Sequence, residues 1–169
     1  MDNNFSWHRH IDELQAKLRK TSFALYHLRR CSSQAVVNQV YSSLGESYVR
    51  YGIAAWGSCS RIRQIQLMQN RLLKIARGRN GGSIKVLNVA DIFKLVVINE
   101  YYKDKRYRVP IDHAHDTRRK RLGRFKVRRY YNTYGKYTLP SLVPILLNEL
   151  PVELLNVNPD RRRKQLLKN

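Results

Sequence analysis

The densest set of side chains that could do chemistry lies at residues 118–129, where eight of twelve positions are arginine or lysine. The planar guanidinium group of arginine binds a phosphate through two parallel hydrogen bonds. Tyr130 and Tyr131 follow directly and could stack on unpaired bases. The cations concerned are Arg118, Arg119, Lys120, Arg121, Arg124, Lys126, Arg128 and Arg129. We expect this basic segment to contact nucleic acid; a solvated charged surface and a nuclear-localisation patch are the alternatives.

The whole chain is basic, with 33 Lys and Arg against 12 Asp and Glu and a net charge of +21. Such an excess repels itself in a compact state and is most easily tolerated beside a polyanion. Nucleic acid is the first candidate, and an anionic membrane surface is the second. A further cluster of cations falls in a final helix predicted to begin at Asn158 and Pro159; it consists of Arg161, Arg162, Arg163 and Lys164.

Carboxylates are too sparse to suggest polymerase chemistry, which needs acidic side chains that converge on two metal ions. The adjacent acidic pair, Asp12 and Glu13, falls inside a predicted helix rather than on a strand turn. We therefore expect the chain not to be an enzyme by itself. We expect neither a metal site nor a cofactor.

The histidines and cysteines are the other candidates for metal ligands and nucleophiles. His113 and His115 form the best local cluster, but no third ligand follows at a convincing spacing, which favours a structural or nucleic-acid-contacting role. Cys31 and Cys59 are too few for a disulfide framework or a four-thiol metal site. No nucleophile elbow is present.

Hydrophobic periodicity predicts the elements that must position the basic segment. Residues 7–30 read as one amphipathic helix, and residues 88–107 as another that Asn88 caps. Between them lie two helices joined at a tight corner, residues 48–57. The stripe of the first helix comprises Trp7, Ile11, Leu14, Leu18, Thr21, Leu25 and Leu28. The two helices at the corner present Val37, Val40, Tyr41, Leu44, Tyr48 and Tyr51, and then Ile62, Ile65, Gln69, Leu72, Leu73 and Ala76.

The corner is predicted to bury its aromatic residues, Tyr48, Tyr51 and Trp56, because Gly52 and Gly57 let the backbone turn sharply there. The fold class that follows is mainly α. Residues 1–109 form a small bundle of three or four helices. Residues 110–169 form an irregular, basic and aromatic-rich C-terminal region that packs back on the bundle.

Four short motifs occur in order along the chain. The first two are Trp7-His8-Arg9-His10-Ile11, followed by Lys17-Leu18, and Tyr51-Gly52 with Trp56-Gly57 and Gln69-Asn70. The last two are His113 to Arg118, of the form H-x-H-x-T-R, and Asn148 to Pro151, of the form N-x-L-P. In this order they resemble the segment after the polymerase core in non-LTR, jockey-like LINE retrotransposon reverse transcriptases. The motif residues with an expected structural role are Trp7, His10, Ile11, Tyr51, Gly52, Trp56, Gly57, Gln69, Asn70, Asn148, Leu150 and Pro151.

The resemblance implies a thumb and post-palm segment of an RNA-directed DNA polymerase from a transposable element, without the catalytic palm. Such a segment would hold template RNA or an RNA/DNA duplex through phosphate contacts, and its further partner would be the rest of the reverse transcriptase. The chain would then be a truncated element copy or a domesticated fragment. The alternative is an unrelated basic helical protein that binds structured RNA or another protein.

No targeting or membrane signal is evident in the sequence. The N-terminus lacks the basic and apolar regions of a signal peptide. The apolar runs, such as residues 95–98, are far too short to span a bilayer. We expect an intracellular protein, nuclear or cytoplasmic.

Overall fold

A computed structural model describes residues 7–78, 84–101, 104–111, 115, 117–131, 135 and 138–149. These residues are mostly helical, which confirms the predicted fold class. Within these ranges no strand occurs, and an isolated antiparallel bridge joins Pro110 to Phe125. No helix in the described part of the chain is both long and apolar enough to cross a membrane.

The chain divides into two compact units, residues 1–93 and 94–169. The change in composition at Pro110 lies within the second unit. The first unit is built on α1, His8–Cys31, which packs along α5, Ile62–Arg77.

Helix α1 follows its predicted stripe. Ile11, Leu18 and Leu25 are fully buried, as the four- and three-residue steps require. Thr21 and Ser22 share that face, and each hydroxyl donates to the carbonyl oxygen four residues earlier, so neither is left unpaired. Ser6, which by its residue type and position could cap α1, lies outside the described residues.

The segment between α1 and the corner departs from the prediction. It consists of α2, Gln34–Val40, a π-helical turn, Tyr41–Glu46, and α3, Ser47–Arg50. The wider π turn shifts the buried face, so that Gly45, Glu46 and Val49 follow Tyr41 on it while Leu44 is exposed. The predicted burial of Leu44 was therefore wrong, and Val40 and Tyr48 are only half-buried.

At the corner, Gly52 adopts a left-handed conformation, φ 62°, and α4, Ile53–Trp56, follows at once. The prediction was right for Trp56, which is 1% exposed, but wrong for Tyr51, which is 77% exposed. Tyr51 contributes its carbonyl oxygen instead, which accepts a 2.9 Å hydrogen bond from the indole Nε1. The backbone turn thus satisfies the buried indole while the phenol ring faces solvent.

Close packing at Gly57 and hydrogen bonds from Gln69 connect separate elements of the first unit. A Cβ atom at Gly57 would lie 2.3 Å from Cδ2 of Phe93, so only glycine lets the two elements approach so closely. The amide of Gln69 is fully buried on α5 and donates to the Leu87 carbonyl oxygen at 2.9 Å and to the Tyr41 hydroxyl at 3.3 Å. Burial raises the pKa of Tyr41 to about 12.

Helix α6, Val89–Tyr101, starts where predicted, since Asn88 Oδ1 accepts from the Asp91 N–H at 2.8 Å. It ends earlier than predicted, and a 3-10 turn follows at Lys105–Tyr107. Its buried residues include Val97 and Ile98, and Val96 is half-buried. The boundary between the two units falls within α6, and the second unit contains α7, Arg118–Arg121, and α8, Leu139–Glu149.

Replacing Trp56 by alanine should lower the free energy of unfolding by roughly 3–5 kcal/mol, because a fully buried indole and its hydrogen bond are both lost. Tyr51→Ala is the matched control: the ring is exposed and the bonding carbonyl remains. Urea denaturation of both variants measures the difference. Equal midpoints for the two variants would contradict the packing at the corner.

His10 makes stability depend on pH. Its ring lies against Trp7 and Trp56, with centroids 5.9 and 5.8 Å away, and its Nε2 is buried without a hydrogen-bond partner. Burial lowers the pKa of His10 below its usual value; Lys17 adds to this effect and Glu13 opposes it. The unfolded chain therefore binds the proton more readily than the folded chain does.

Neutral His10 contributes fully to the free energy of unfolding above the usual histidine pKa. This contribution is lost as pH falls through the lowered pKa of His10 in the folded chain. Stability should thus decline as pH is lowered from neutral values through the usual histidine pKa of 6.5. His10→Gln should remove part of this decline, whereas His8→Gln, at an exposed position, should leave it unchanged. Denaturation across this range tests the expectation, which fails if the two variants decline in parallel.

Candidate nucleic-acid interface

The basic segment begins with one helical turn made wholly of cations. Thr117 caps α7, and its hydroxyl accepts from the Lys120 N–H at 3.4 Å. All four residues of α7, Arg118–Arg121, are exposed. Gly123, with φ 61°, ends the turn and lets the chain leave in an extended course. Four like charges in one turn repel each other, so this turn gains from an external anion.

The extended chain that follows is clamped by a side-chain amide. Asn148, near the end of α8, accepts from the Phe125 N–H at 2.8 Å and donates from Nδ2 to the Phe125 carbonyl oxygen at 3.0 Å. On the other side, the Lys126 N–H donates to the Val109 carbonyl oxygen at 2.8 Å. The side-chain amide of Asn148 therefore pairs with the backbone of Phe125 as a neighbouring strand would, and it keeps residues 125–126 extended.

The turn, the extended chain and α8 enclose a groove of about 860 Å³ within the second unit. We call it the basic groove. Five of the eight predicted cations line it: Arg118, Arg119, Arg124, Lys126 and Arg129. Apolar side chains of Leu122, Phe125, Val127 and Ile145 also line it. Three predicted cations, Lys120, Arg121 and Arg128, are not part of this lining.

Glu149 supplies the one carboxylate among the described residues that line the basic groove. It pairs with Lys94 Nζ at 3.5 Å, and both side chains are about half exposed. An exposed pair of this kind contributes little to stability. Among the described residues that line the groove, five cations therefore face a single carboxylate.

Tyr130 and Tyr131 follow the groove segment and are exposed, Tyr131 completely so. That exposure is what a base-stacking role requires, although stacking itself stays a prediction. His115 is also exposed. The predicted residues Arg161, Arg162, Arg163, Lys164, Leu150, Pro151 and His113 lie outside the described residues. Among those that are described, no three His, Cys, Asp or Glu side chains come together.

The motif residues that are described divide between two structural roles. Trp7, His10 and Trp56 form a ring cluster in the first unit, beside the fully buried Ile11. Asn70 is exposed and accepts a 2.9 Å hydrogen bond from Gln66. Asn148 holds the basic groove, a role that the sequence did not reveal. The signal available was only its position in an N-x-L-P motif.

Comparison with known proteins finds a partial similarity. The chain is 29% identical over 117 residues to an ATP-dependent RNA helicase of Vanderwaltozyma polyspora. That stretch covers 60% of this chain but only 29% of the helicase, so the chain spans less than a third of that relative. No family model matches the chain, and no solved structure matches it.

Replacing Asn148 by alanine should loosen the basic groove, because it leaves the N–H and the carbonyl of Phe125 without partners. The free energy of unfolding should fall by about 1–3 kcal/mol. The amides of residues 125 and 126 should exchange hydrogen faster. Asn70→Ala, which removes an exposed amide, should change stability by less than about 0.5 kcal/mol. Unchanged exchange at Phe125 in Asn148→Ala would contradict the clamp.

Proposed function

We propose that this chain holds RNA, or an RNA/DNA duplex, through phosphate contacts in the basic groove. The observation that carries the proposal is the convergence of five cations on one groove with a single carboxylate among its described lining residues. Guanidinium groups in such a groove bind phosphates bidentately. Phosphate contacts fix position along the strand and do not read base identity.

We further propose that the chain corresponds to the thumb and post-palm segment of a non-LTR retrotransposon reverse transcriptase. The ordered resemblance of its four motifs supports this origin. Two motif elements have clear roles in this fold, since Trp56 fills the corner and Asn148 holds the groove. The rest of such an enzyme would be its natural protein partner.

A second candidate is a basic helical RNA-binding protein of different descent. It is favoured by the partial similarity to a protein whose name is that of an RNA helicase. The two candidates agree on RNA as the ligand and on the basic groove as its site. They differ only in the protein to which the groove would belong.

On either origin, we propose that the chain alone does not polymerise DNA. The sequence offers no pair of carboxylates on a strand turn to hold two metal ions. Primer extension on an RNA template with Mg²⁺ or Mn²⁺ should give no product. Robust synthesis that is abolished by changing an acidic residue to alanine would refute this part of the proposal.

The phosphate contacts can be tested with two variants of equal charge. The groove variant carries Arg118→Gln, Arg119→Gln and Arg129→Gln; the matched variant carries Lys120→Gln, Arg121→Gln and Arg128→Gln outside the groove lining. For a single strand, log K falls with log salt by about 0.7 per phosphate neutralised. The groove variant should therefore flatten the salt slope by roughly two units, and the matched variant by less than one.

Titration of labelled RNA at several salt concentrations gives both slopes. The loss of affinity in the groove variant should be similar for unrelated sequences. Its thermal stability should stay close to that of the unchanged chain, because these side chains lie at or near the surface. Equal slopes in the two variants would show that net charge, and not the groove, determines binding.

A further inference from the structure

The face of α1 that points away from the core carries unusually exposed aromatic rings. Phe23 is 69% exposed and Tyr26 is 44% exposed, and His27 beside them is exposed as well. Single exposed apolar residues are common on protein surfaces, but adjacent aromatic rings are more informative. These residues belong to the first unit, whereas the basic groove belongs to the second.

The rings and two cations form one stripe along the helix, at steps of three and four residues. We call it the α1 aromatic face; it comprises Arg19, Phe23, Tyr26, His27 and Arg30. The rings of Phe23 and His27 have centroids 4.3 Å apart. The guanidinium carbon of Arg30 lies 5.4 Å from the centroid of Tyr26, in the range of a cation–π contact.

The charges that α1 itself contributes to this face are positive. No Asp or Glu occurs between Glu13 and Glu46 in the sequence, so α1 beyond its first turns has no acidic side chain of its own. Arg19 and Arg30 are both exposed and bracket the rings. They lie eleven positions apart along the helix, a rise of about 16 Å. That distance matches about five stacked nucleotides of one strand at about 3.4 Å each.

We propose that the α1 aromatic face binds single-stranded nucleic acid by stacking unpaired bases on its rings. The stacked bases cover the exposed apolar surface of Phe23, and the bracketing arginines contact phosphates on either side. Stacking tolerates any base, since every base has a π face. A duplex cannot use the rings in this way because its bases are already stacked and paired.

The proposal does not depend on the basic groove. The groove neutralises phosphates and holds a strand by charge, whereas the α1 aromatic face contributes mainly an uncharged contact. The two sites therefore respond differently to salt. Removing a ring should weaken binding without changing the number of phosphates neutralised.

The experiment uses the full chain with a labelled oligouridine and a duplex RNA as separate probes. Phe23→Ala should weaken binding of the oligouridine about 5- to 150-fold, the range for loss of one stacked base. The salt slope should remain as in the unchanged chain, and duplex affinity should change by less than about twofold. Leu67→Ala is the matched control, because Leu67 is an apolar residue of the same unit that is 60% exposed.

Two further variants separate stacking from apolar bulk and from folding. Phe23→Trp should preserve or strengthen binding, while Phe23→Leu should weaken it although its apolar bulk remains. Both are expected to melt like the unchanged chain, since the side chain is largely exposed. If the groove variant leaves binding unchanged but Phe23→Ala does not, the groove proposal fails and this one stands.

Three results would overturn the proposal. The first is an equal effect of Phe23→Ala and Leu67→Ala on oligouridine binding. The second is an equal loss for single strand and duplex. The third is that sedimentation shows the unchanged chain to self-associate and Phe23→Ala to abolish this, while RNA affinity stays the same. A second copy of the chain would then be the occupant of this face.

Discussion

Repulsion among the many cations of this small protein is the constraint on which the rest of the structure depends. A net charge of +21 on 169 residues disfavours the compact state unless cations are spread out or meet an anion. In the second unit they are not spread out. Backbone hydrogen bonds and the amide of Asn148 hold five of them around one groove. The geometry that costs stability in the free chain is the geometry that favours a polyanion.

The first unit, in contrast, is stabilised by neutral contacts. Trp56 and Gln69 are fully buried, and each satisfies its polar group on a backbone carbonyl. The bidentate pair of Arg61 with Asp12, at 2.7 and 3.3 Å, links α1 to the start of α5 at the surface. Among the described residues, the buried carboxylate of this unit, Glu46, pairs with the half-buried Arg50 at 3.4 Å.

The sequence predicted the long helices well because their apolar steps repeat over many turns. The buried faces of α1 and α5 follow directly from that period. The sequence could not predict the π turn at Tyr41–Glu46, since a change in the spacing of backbone hydrogen bonds does not alter the residue composition. The predicted burial of Tyr51 was wrong for a related reason: its backbone carbonyl, and not its ring, contacts Trp56 at the corner. Helix α8 was not predicted because Pro140 and Pro144 punctuate it.

The candidate site was only partly visible in the sequence. A run of cations at 118–129 indicates an anion-binding surface but not which of its members face the same way. That sorting depends on the left-handed turn at Gly123 and on the clamp between Asn148 and Phe125, which lie 23 residues apart in sequence. Long-range hydrogen bonds of this kind have no local signature.

Lysine footprinting with and without RNA tests the central claim most directly. Lys126 lines the basic groove, and Lys105, exposed in the same unit, does not. Acylation in low salt followed by mass spectrometry reports the reactivity of each amine. Bound single-stranded RNA should protect Lys126 strongly and leave Lys105 nearly as reactive as in the free chain. Equal protection of the two lysines, or none at Lys126, would contradict phosphate binding in the groove.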